Sequence, residues 1–366
     1  MAEPLDPQAV FDLVELHLLG SHPTLTGQQL ADEVGIPLEL AKLRWRSLGF
    51  TSVGDDVVAF TEADLNALRL TQKMHDIGMI DPDDEAALIR TLGRSFARLA
   101  EWQITMLART VGSQPDLNVS GLAAVMDEVT PVIEEVQNYI WRRHTLSAAS
   151  RLLLAPSADE DGDGAFTAIG FADIVGYTRQ TRSLTQGDLA SLVEHFEAQA
   201  LAIITGHNGR IIKTIGDEIL YAADSAADAA AIALDLVEEH LVDEDFPQLR
   251  VGVAWGPVLQ RLGDVFGPTV NIASRLTSIA RPGRTLIDKE LAEAIEGNPD
   301  FKLRRMRRTS VKGYRRLEPW ALRRPLDESE LPPVTAAIHE RTKDLIRAVD
   351  EIQVRAERAP GAEGPQ

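Results

Sequence analysis

The spacing of apolar residues changes near residue 157, and this change most constrains the fold. Residues 1 to about 150 repeat apolar residues at helical spacing, with few β-branched alternations. Later residues alternate strand-like segments such as AFTAIGFADI with helical stretches such as QGDLASLVEHFEAQALAII. The run SADEDGDG between them is acidic and glycine-rich, which is typical of a flexible connector. The sequence therefore predicts a helical region (1–156), an acidic linker (157–164) and an α+β region (165–325).

Composition excludes several classes of protein. A chain of 366 residues with 44% hydrophobic residues can form two domains with separate cores. Cys is absent, which excludes disulfides and thiolate-bound zinc. We expect a cytoplasmic protein without a membrane span, because no apolar run approaches roughly 18 residues and the N-terminus lacks signal-peptide character. The net charge of -19 disfavours an extended nucleic-acid interface, which needs clustered Lys and Arg.

Residues 24–50 have the pattern of a helix-turn-helix, with a turn at Gly35. The apolar residues predicted to face inward are Leu30, Val34, Leu40, Leu43 and Leu48. The segment SVGDDVVAFTEADL that follows predicts a small hairpin or a wing. Acidic residues outnumber basic ones about two to one over residues 1–150, which favours a helical packing module over a DNA-binding one.

Two further helices are predicted. Residues 130–156 are expected to form one long connecting helix with Pro131 in its first turn. Its apolar stripe consists of Val132, Val136 and Ile140. Residues 326–366 predict a C-terminal helix that packs on a partner helix, followed by a disordered tail. The seven-residue repeat of that helix consists of Ile338, Leu345 and Ile352.

Carboxylates between residues 159 and 178 fall into two arrangements. The dense run DEDGDG matches the opening of an EF-hand loop, but the twelfth position is Gly170 where a bidentate Glu is required. We therefore interpret this run as part of the solvated linker. Asp173 differs, because it ends a strand that is expected to be buried on both faces. A carboxylate in that place requires a counter-charge.

Asp217 is the second acid of this kind, at the predicted hairpin turn after KTIG. If the two strands are neighbours, Asp173 and Asp217 converge on one point. Two hard oxygen ligands that leave positions for water and phosphate suit Mg²⁺ or Mn²⁺. The residues alone leave an ordinary strand-end acid and an ordinary turn acid as the alternative.

Four motifs occur in order at FADIVGYT (171–178), KTIGDEIL (213–220), GDVFGPTVNIASRL (263–276) and VKGY (311–314). Together they resemble the signature motifs of class III nucleotidyl cyclase catalytic domains over essentially all of residues 165–325. The resemblance implies an α+β fold with a ferredoxin-like βαββαβ catalytic domain preceded by an all-α regulatory domain. It also implies attack of the ribose 3′-OH of ATP on the α-phosphorus, which gives 3′,5′-cyclic AMP and pyrophosphate.

The resemblance also implies the metal site. Asp173, Asp217 and the backbone carbonyl of Ile174 would hold two divalent ions, Mg²⁺ or Mn²⁺. In such sites one ion lowers the pKa of the attacking hydroxyl and the other neutralises the departing phosphates.

The remaining motif residues would bind the nucleotide. Lys213 and Asp264 would select adenine, since a donor and an acceptor complement its N1 and N6, so ATP is expected to be preferred over GTP. Asn271 would orient the ribose, and Arg275, four residues later on the same helix face, would stabilise charge on the α-phosphate. Lys312 would contact the β- and γ-phosphates.

Active sites of this family form between two catalytic domains, and this chain carries both sets of residues, so the resemblance implies a homodimer. The layout also resembles actinobacterial cyclases in which a helical module restrains the catalytic domain. The regulatory signal stays open between pH, with His144 as a titrating group, and a small-molecule or lipid effector. Two alternatives remain: a guanylyl cyclase, and a regulator that only binds nucleotide and contacts DNA through the helix-turn-helix.

Overall fold

Two units of different architecture make up the chain, Met1–Pro156 and Ser157–Gln366. The computed structural model describes residues 6–78, 81–113, 118–154, 166–311 and 314–325. The acidic linker (157–164), Lys312 and the predicted C-terminal helix (326–366) lie outside the described residues. No helix in the described ranges is long and apolar enough to cross a membrane.

Capping side chains set where helices of the first unit begin. Its helices are α1 (Pro7–Leu19), α2 (Gly27–Val34), α3 (Leu38–Ser47), α4 (Glu62–Asp76), α5 (Pro82–Gly112) and α6 (Val119–Leu154). Thr26 and Thr61 each form a reciprocal capping box with the third helical residue, at the starts of α2 and α4. The described part of this unit also contains two short strands, β1 (Leu25–Thr26) and β2 (Val58–Phe60), which pair antiparallel.

The predicted helix-turn-helix corresponds to α2 and α3, with two corrections. The segment after α3 does not fold on itself as a hairpin, because its strand β2 pairs with β1 ahead of α2. Leu43 is 47% exposed and not inward-facing. The buried side of α3 passes through Leu38, Ala41 and Trp45, which are spaced three and four apart, and Leu43 lies outside that stripe.

The connecting helix begins earlier than the sequence predicts. Asn118 accepts a hydrogen bond from the Gly121 N–H (2.9 Å), and α6 then runs without interruption past Pro131 to Leu154. Its first turns are anchored by Leu122 and Met126, four residues apart and both buried. Pro131 therefore lies in the helix interior, so its prediction as a first-turn residue is wrong. Pro131 has no N–H, so the carbonyl one turn earlier in α6 lacks its helical donor. Pro131 lies on a side of the helix that is exposed to solvent, where water can donate to that carbonyl instead.

The second unit is an antiparallel-rich sheet covered by helices. Its strands are β3 (Phe166–Ile174), β4 (Arg210–Ile215), β5 (Glu218–Ala223), β6 (Leu249–Pro257), β7 (Leu259–Arg261), β8 (Asp264–Phe266), β9 (Thr285–Ile287), β10 (Lys302–Arg305), β11 (Thr309–Val311), β12 (Tyr314–Leu317) and β13 (Trp320–Arg323). Its helices are α7 (Tyr177–Gln180), α8 (Gln186–Gly206), α9 (Ala226–Glu238), a 3₁₀ turn (Glu239–Leu241), α10 (Pro268–Ile279) and α11 (Lys289–Ala294).

The main sheet has the strand order β10-β13-β9-β6-β3-β5-β4. Its central part is built in the chain order β3-α8-β4-β5-α9-β6, so the spatial order β6-β3-β5-β4 is the ferredoxin-like arrangement. Only β6 and β9 pair in parallel among the described strands. The α+β class with a ferredoxin-like βαββαβ domain after a helical region is therefore confirmed, and the short β1–β2 pair is the one addition to the predicted all-α region among the described residues.

Strand β3 is buried on both faces, as its apolar composition predicts. Ala168, Ala172 and Ile174 pack into the larger core with α8, α9 and α11. The alternate residues Ile169 and Phe171 pack into a second core on the side of α10. Asp173 belongs to this second set by alternation, so its carboxylate lies on the α10 side of the sheet.

Glycine allows α10 to lie directly on that side of the sheet. A Cβ added to Gly252 of β6 would meet the backbone nitrogen of Thr277 at 2.2 Å. Four residues along the same strand, a Cβ at Gly256 would meet Thr269 Oγ1 at 2.9 Å. The Thr277 hydroxyl also donates to the Phe171 carbonyl (3.3 Å), which ties the helix to β3. The helix therefore contacts the sheet at backbone distance.

Candidate active site

The end of β3 holds a carboxylate between two charged neighbours. Asp173 is paired in register with Glu218 of β5 on one side and with Arg250 of β6 on the other. Arg250 Nε donates to Asp173 Oδ2 over 2.5 Å. Burial raises the pKa of Asp173, and the Arg250 guanidinium opposes that rise. The counter-charge that the sequence requires is therefore present.

Asp217 lies beside Asp173, as the sequence predicts if the strands are neighbours. It follows Gly216 in the two-residue turn between β4 and β5, and the positive φ of Gly216 (66°) permits that turn. The Asp217 carbonyl accepts a hydrogen bond from the Ile174 N–H (3.1 Å). The charge of Asp217 contributes to the raised pKa of Asp173. The backbone thus holds Asp173, Ile174 and Asp217 next to one another.

Sequence reasoning missed two residues of this cluster. Burial, followed by the charges of Asp173 and Asp217, raises the pKa of Glu218 to about 7. Arg250 is 77 residues from Asp173 in the chain, so only the strand register reveals the pairing. One signal was available: Arg250 is a lone charge within the apolar strand LRVGVAWGP.

The donor atoms of this cluster suit a divalent ion. They are hard oxygens, the ligands that Mg²⁺ and Mn²⁺ take. No group of three or more His, Asp or Glu side chains within the described residues is arranged to hold an ion. The fit therefore rests on two carboxylates and nearby carbonyls, with other ligands left to water and substrate. Arg250 occupies one oxygen of Asp173, so an ion at that oxygen would have to displace it.

Lys213 and Asp264 form an ion pair in the same unit. Lys213 Nζ lies 2.5 Å from Asp264 Oδ2, although the residues are 51 apart in the chain. The other carboxylate oxygen of Asp264 accepts the Val265 N–H (2.9 Å), which fixes the carboxylate plane. Both side chains are partly exposed, at 41% and 31%. A donor and an acceptor are therefore presented side by side to solvent.

Asn271 and Arg275 lie on α10, one turn apart. The helix begins with Pro268 after Gly267 and packs on the sheet through Ala273 and Thr277. Asn271 is exposed and Arg275 is partly exposed. Neither side chain has a hydrogen-bond or ion-pair partner among the described residues, so both are free to meet a ligand. Lys312, the last of the predicted site residues, lies outside the described ranges.

Comparisons with known proteins agree with this architecture. Residues 165–324 match the family described as the adenylate and guanylate cyclase catalytic domain, and residues 7–133 match the adenylate cyclase regulatory domain. The first match places the second unit among the nucleotide cyclase domains.

Similar proteins narrow the class further. An adenylate cyclase of Glutamicibacter nicotianae is 38% identical over 86% of this chain and 83% of its own length. One of Streptomyces coelicolor is 37% identical over 84% and 88%. A pH-sensitive adenylate cyclase of Mycobacterium tuberculosis is 29% identical over 79% and 74%. The chain belongs to the class III adenylate cyclase family, in the actinobacterial type with an N-terminal regulatory domain.

Proposed function

We propose that this adenylate cyclase converts ATP to 3′,5′-cyclic AMP and pyrophosphate with two divalent ions, Mg²⁺ or Mn²⁺, held by Asp173, Asp217 and the Ile174 carbonyl. The observation that supports this most strongly is the convergence of the two acids at the end of β3 and the β4–β5 turn. Bound ions of this kind lower the pKa of an attacking hydroxyl and neutralise departing phosphates.

The chain's own residues would orient the nucleotide for this reaction. Lys213 and Asp264 bind the adenine edge, and Asn271 positions the ribose. Arg275 stabilises the charge that develops on the α-phosphate, for which a planar guanidinium is better suited than an ammonium. Lys312 binds the β- and γ-phosphates. No covalent intermediate with the protein is needed, because the ribose hydroxyl is itself the nucleophile.

The activity is tested by measuring cyclic AMP formed from ATP with Mn²⁺ or Mg²⁺ by the full chain and by Asp173→Ala. Product from the wild type and its near-complete loss in the variant support the proposal. The matched control is Asp224→Ala, which removes an exposed carboxylate paired with Arg210 (2.9 Å). A wild type that makes no product, or an Asp173→Ala variant as active as the control, contradicts it.

The Lys213–Asp264 pair supports ATP over GTP as the substrate. Each mismatched buried polar contact costs about 1 to 3 kcal/mol, so two such contacts, one at each residue of the pair, correspond to at least tens-fold selectivity. Asp264→Ala should reduce the ratio of kcat/KM for ATP to that for GTP by about tenfold. Equal ratios in the two proteins would remove the support for base selection by this pair. ATP as the substrate also favours a cytoplasmic location.

We further propose a homodimer whose sites combine residues of two copies. Two observations support it: Asn271 and Arg275 have no partner within the described chain, and the β7–β8 hairpin exposes Leu259 and Phe266 at 63% and 48%. Mixing inactive Asp173→Ala with inactive Arg275→Ala should restore activity, since one site of each mixed dimer is intact. Random exchange of subunits should give about one quarter of the wild-type rate. Mixtures that stay inactive although subunits exchange would argue for sites within one chain.

The helical unit is proposed to regulate this reaction through an apolar effector. A cavity of about 650 Å³ lies among α2, α3, α4 and α5, and its apolar wall includes Leu30, Leu38, Phe60 and Leu68. Such a volume and lining suit a lipid or another apolar small molecule. Control by pH remains the alternative, and His144, its candidate sensor, is exposed on α6.

Rates of the full chain and of residues 157–366, measured from pH 5.5 to 8 with and without a long-chain fatty acid, separate these signals. A fatty-acid effect that requires the helical unit and is lost in Ala63→Trp, which narrows the cavity, supports the apolar effector. A pH effect that requires the helical unit, with no response to fatty acid, supports pH control. Identical profiles for both proteins would reject regulation by this unit.

A further inference from the structure

A second cavity lies in the catalytic unit, where three strands of the main sheet end. Its volume is about 360 Å³. Gln248 and Arg284 line it immediately before β6 and β9, and Arg323 lines it as the last residue of β13. The end of α9 and the 3₁₀ turn form the remaining wall. None of these residues belongs to the catalytic set described above.

The cavity carries excess positive charge. Arg284 and Arg323 both line it, and neither has an acidic partner among the described residues. The acid that also lines it, Glu238, already accepts a hydrogen bond from Arg324 Nε (2.9 Å). Lys302 is directly opposite Arg323 in the β10–β13 ladder, and like charges in that position destabilise a sheet. An anion bound here would compensate this unfavourable arrangement.

One wall of the cavity is apolar. It is formed by Leu234, Val237, Leu241 and Leu322. Leu241 is 73% exposed on the 3₁₀ turn, so the apolar wall opens toward solvent. Cavities that combine an apolar wall with a few charged groups bind ligands that have both an apolar body and a charged head.

Backbone hydrogen bonds connect this cavity to the catalytic strand. The Gln248 carbonyl accepts the Val175 N–H (2.9 Å), and Val175 is two residues after Asp173. Gly283, another lining residue, donates its N–H to the Leu249 carbonyl (2.8 Å), and Leu249 pairs with Ile174. A ligand that displaces Gln248 or Gly283 therefore acts on the segment that carries the proposed metal ligands.

We propose that this cavity binds a small organic anion, with a carboxylate or phosphate head on an apolar body, and that binding repositions the segment after Asp173. Binding at this cavity does not depend on the proposed function, whereas the consequence of the repositioning for catalysis rests on the proposed function. Arg284 and Arg323 bind the head, and the leucine wall contacts the body.

The test is calorimetric titration of the full chain in EDTA without nucleotide. Benzoate and phenyl phosphate are the probes with both features, inorganic phosphate lacks the apolar body, and benzyl alcohol lacks the charge. The preferred head identifies the class of ligand. Phenyl phosphate or benzoate should bind at least about tenfold more tightly than either incomplete probe, and Arg284→Ala/Arg323→Ala should lose that advantage.

Two controls separate this cavity from other cationic sites. Arg281→Ala removes a nearby exposed charge that does not line the cavity, and Arg275→Ala removes a charge of the proposed catalytic site. Both should bind the probes as the wild type does. Equal losses in Arg281→Ala, or loss in Arg275→Ala alone, would overturn the assignment, as would equal binding of all four probes.

Hydrogen exchange tests the connection to the catalytic strand. The tighter probe should change the exchange of peptides that contain Val175 in the wild type but not in Arg284→Ala/Arg323→Ala. Binding without that change rejects the repositioning. Because binding and exchange are measured without turnover, a chain that makes no cyclic AMP would reject the proposed function and leave this inference standing.

Discussion

The two units each contain an arginine–carboxylate contact of the same length in very different surroundings. In the catalytic unit, Arg250 Nε lies 2.5 Å from Asp173, and in the helical unit Arg44 Nε lies 2.5 Å from Glu85. The Arg44 side chain is 5% exposed, whereas that of Arg250 is 37% exposed. Distance alone therefore does not distinguish them.

Their neighbours do distinguish them. Arg44 has a second acceptor, Gln72 Oε1 at 3.0 Å, so its guanidinium donates both to one acid and to a neutral amide. Asp173 instead has two more carboxylates beside it, Asp217 and Glu218, and a single arginine. The helical pair balances its charge and holds helices together. The catalytic cluster retains excess negative charge, which is the condition for attracting a cation.

The largest effect should come from Asp173→Asn. Metal ions supply several kcal/mol of transition-state stabilisation, so cyclic AMP formation should fall by about 10³-fold or more. The free energy of unfolding should hold or rise, because one of three crowded carboxylates becomes neutral. Chemical denaturation in EDTA and a product assay measure the two quantities. If the variant loses activity only because it unfolds, Asp173 has a structural role like that of Glu85.

Glu85→Ala should show the opposite pattern. Removing one partner of a buried pair costs about 3 to 5 kcal/mol, because the Arg44 charge is left without compensation. Urea denaturation followed by far-UV circular dichroism, which reports mainly the helical unit's loss of helix, measures the change. Arg69→Ala is the control, since its contact with Glu33 is exposed. The double variant Arg44→Met/Glu85→Leu should regain most of the stability, and failure to regain it would indicate a further role for the pair.

Arg250→Ala should make the catalytic cluster more dependent on a cation. Without the guanidinium, the acids repel one another, so stability at pH 8 should fall by about 1 to 3 kcal/mol. Adding Mn²⁺ should then raise the Tm of the variant more than that of the wild type. Arg210→Ala, which leaves only exposed Asp224 unpaired, should show no such difference. An equal Mn²⁺ response in all three proteins would show that Arg250 and the ion do not compete.

The smallest effect concerns pH. Burial and the neighbouring acids raise the pKa of Glu218 from 4.5 to about 7, so the folded state holds a proton that the unfolded state releases. The contribution of Glu218 to stability in EDTA should therefore fall as pH rises from 4.5 to 7 and level off above that range. Screening by solvent limits the change to about 1 to 2 kcal/mol. Glu218→Gln should flatten this part of the profile, while the contribution of Asp288, whose pKa burial raises to about 8, stays in both proteins. Superimposable profiles would contradict the shift.

Local sequence signals were sufficient for one part of the site. The apolar strand before Asp173 and the glycine turn before Asp217 predicted where each acid lies, and the fold brings them together. The Lys213–Asp264 pair was implied only by family resemblance, since no local pattern links residues 51 apart. Their roles in binding metal and nucleotide remain predictions.

Register and tertiary packing account for what was missed. Arg250 meets Asp173 because β3 pairs with β6, and the strand sequences do not specify that partner or its alignment. Proline favours the first turn, so Pro131 predicts a helix start, but burial of Leu122 and Met126 extends the helix back to Val119. In both cases a distant contact decides the outcome over the local preference.

The close seating of α10 on Gly252 has a consequence for how variants of this enzyme are classified. Asn271 and Arg275 are carried by a helix that can lie this close to β6 only because Gly252 has no Cβ. Substituting alanine there would force the helix away and move both side chains without altering any reactive group. A screen for inactive mutants would rank Gly252 beside Asp173, although glycine has nothing with which to touch a nucleotide.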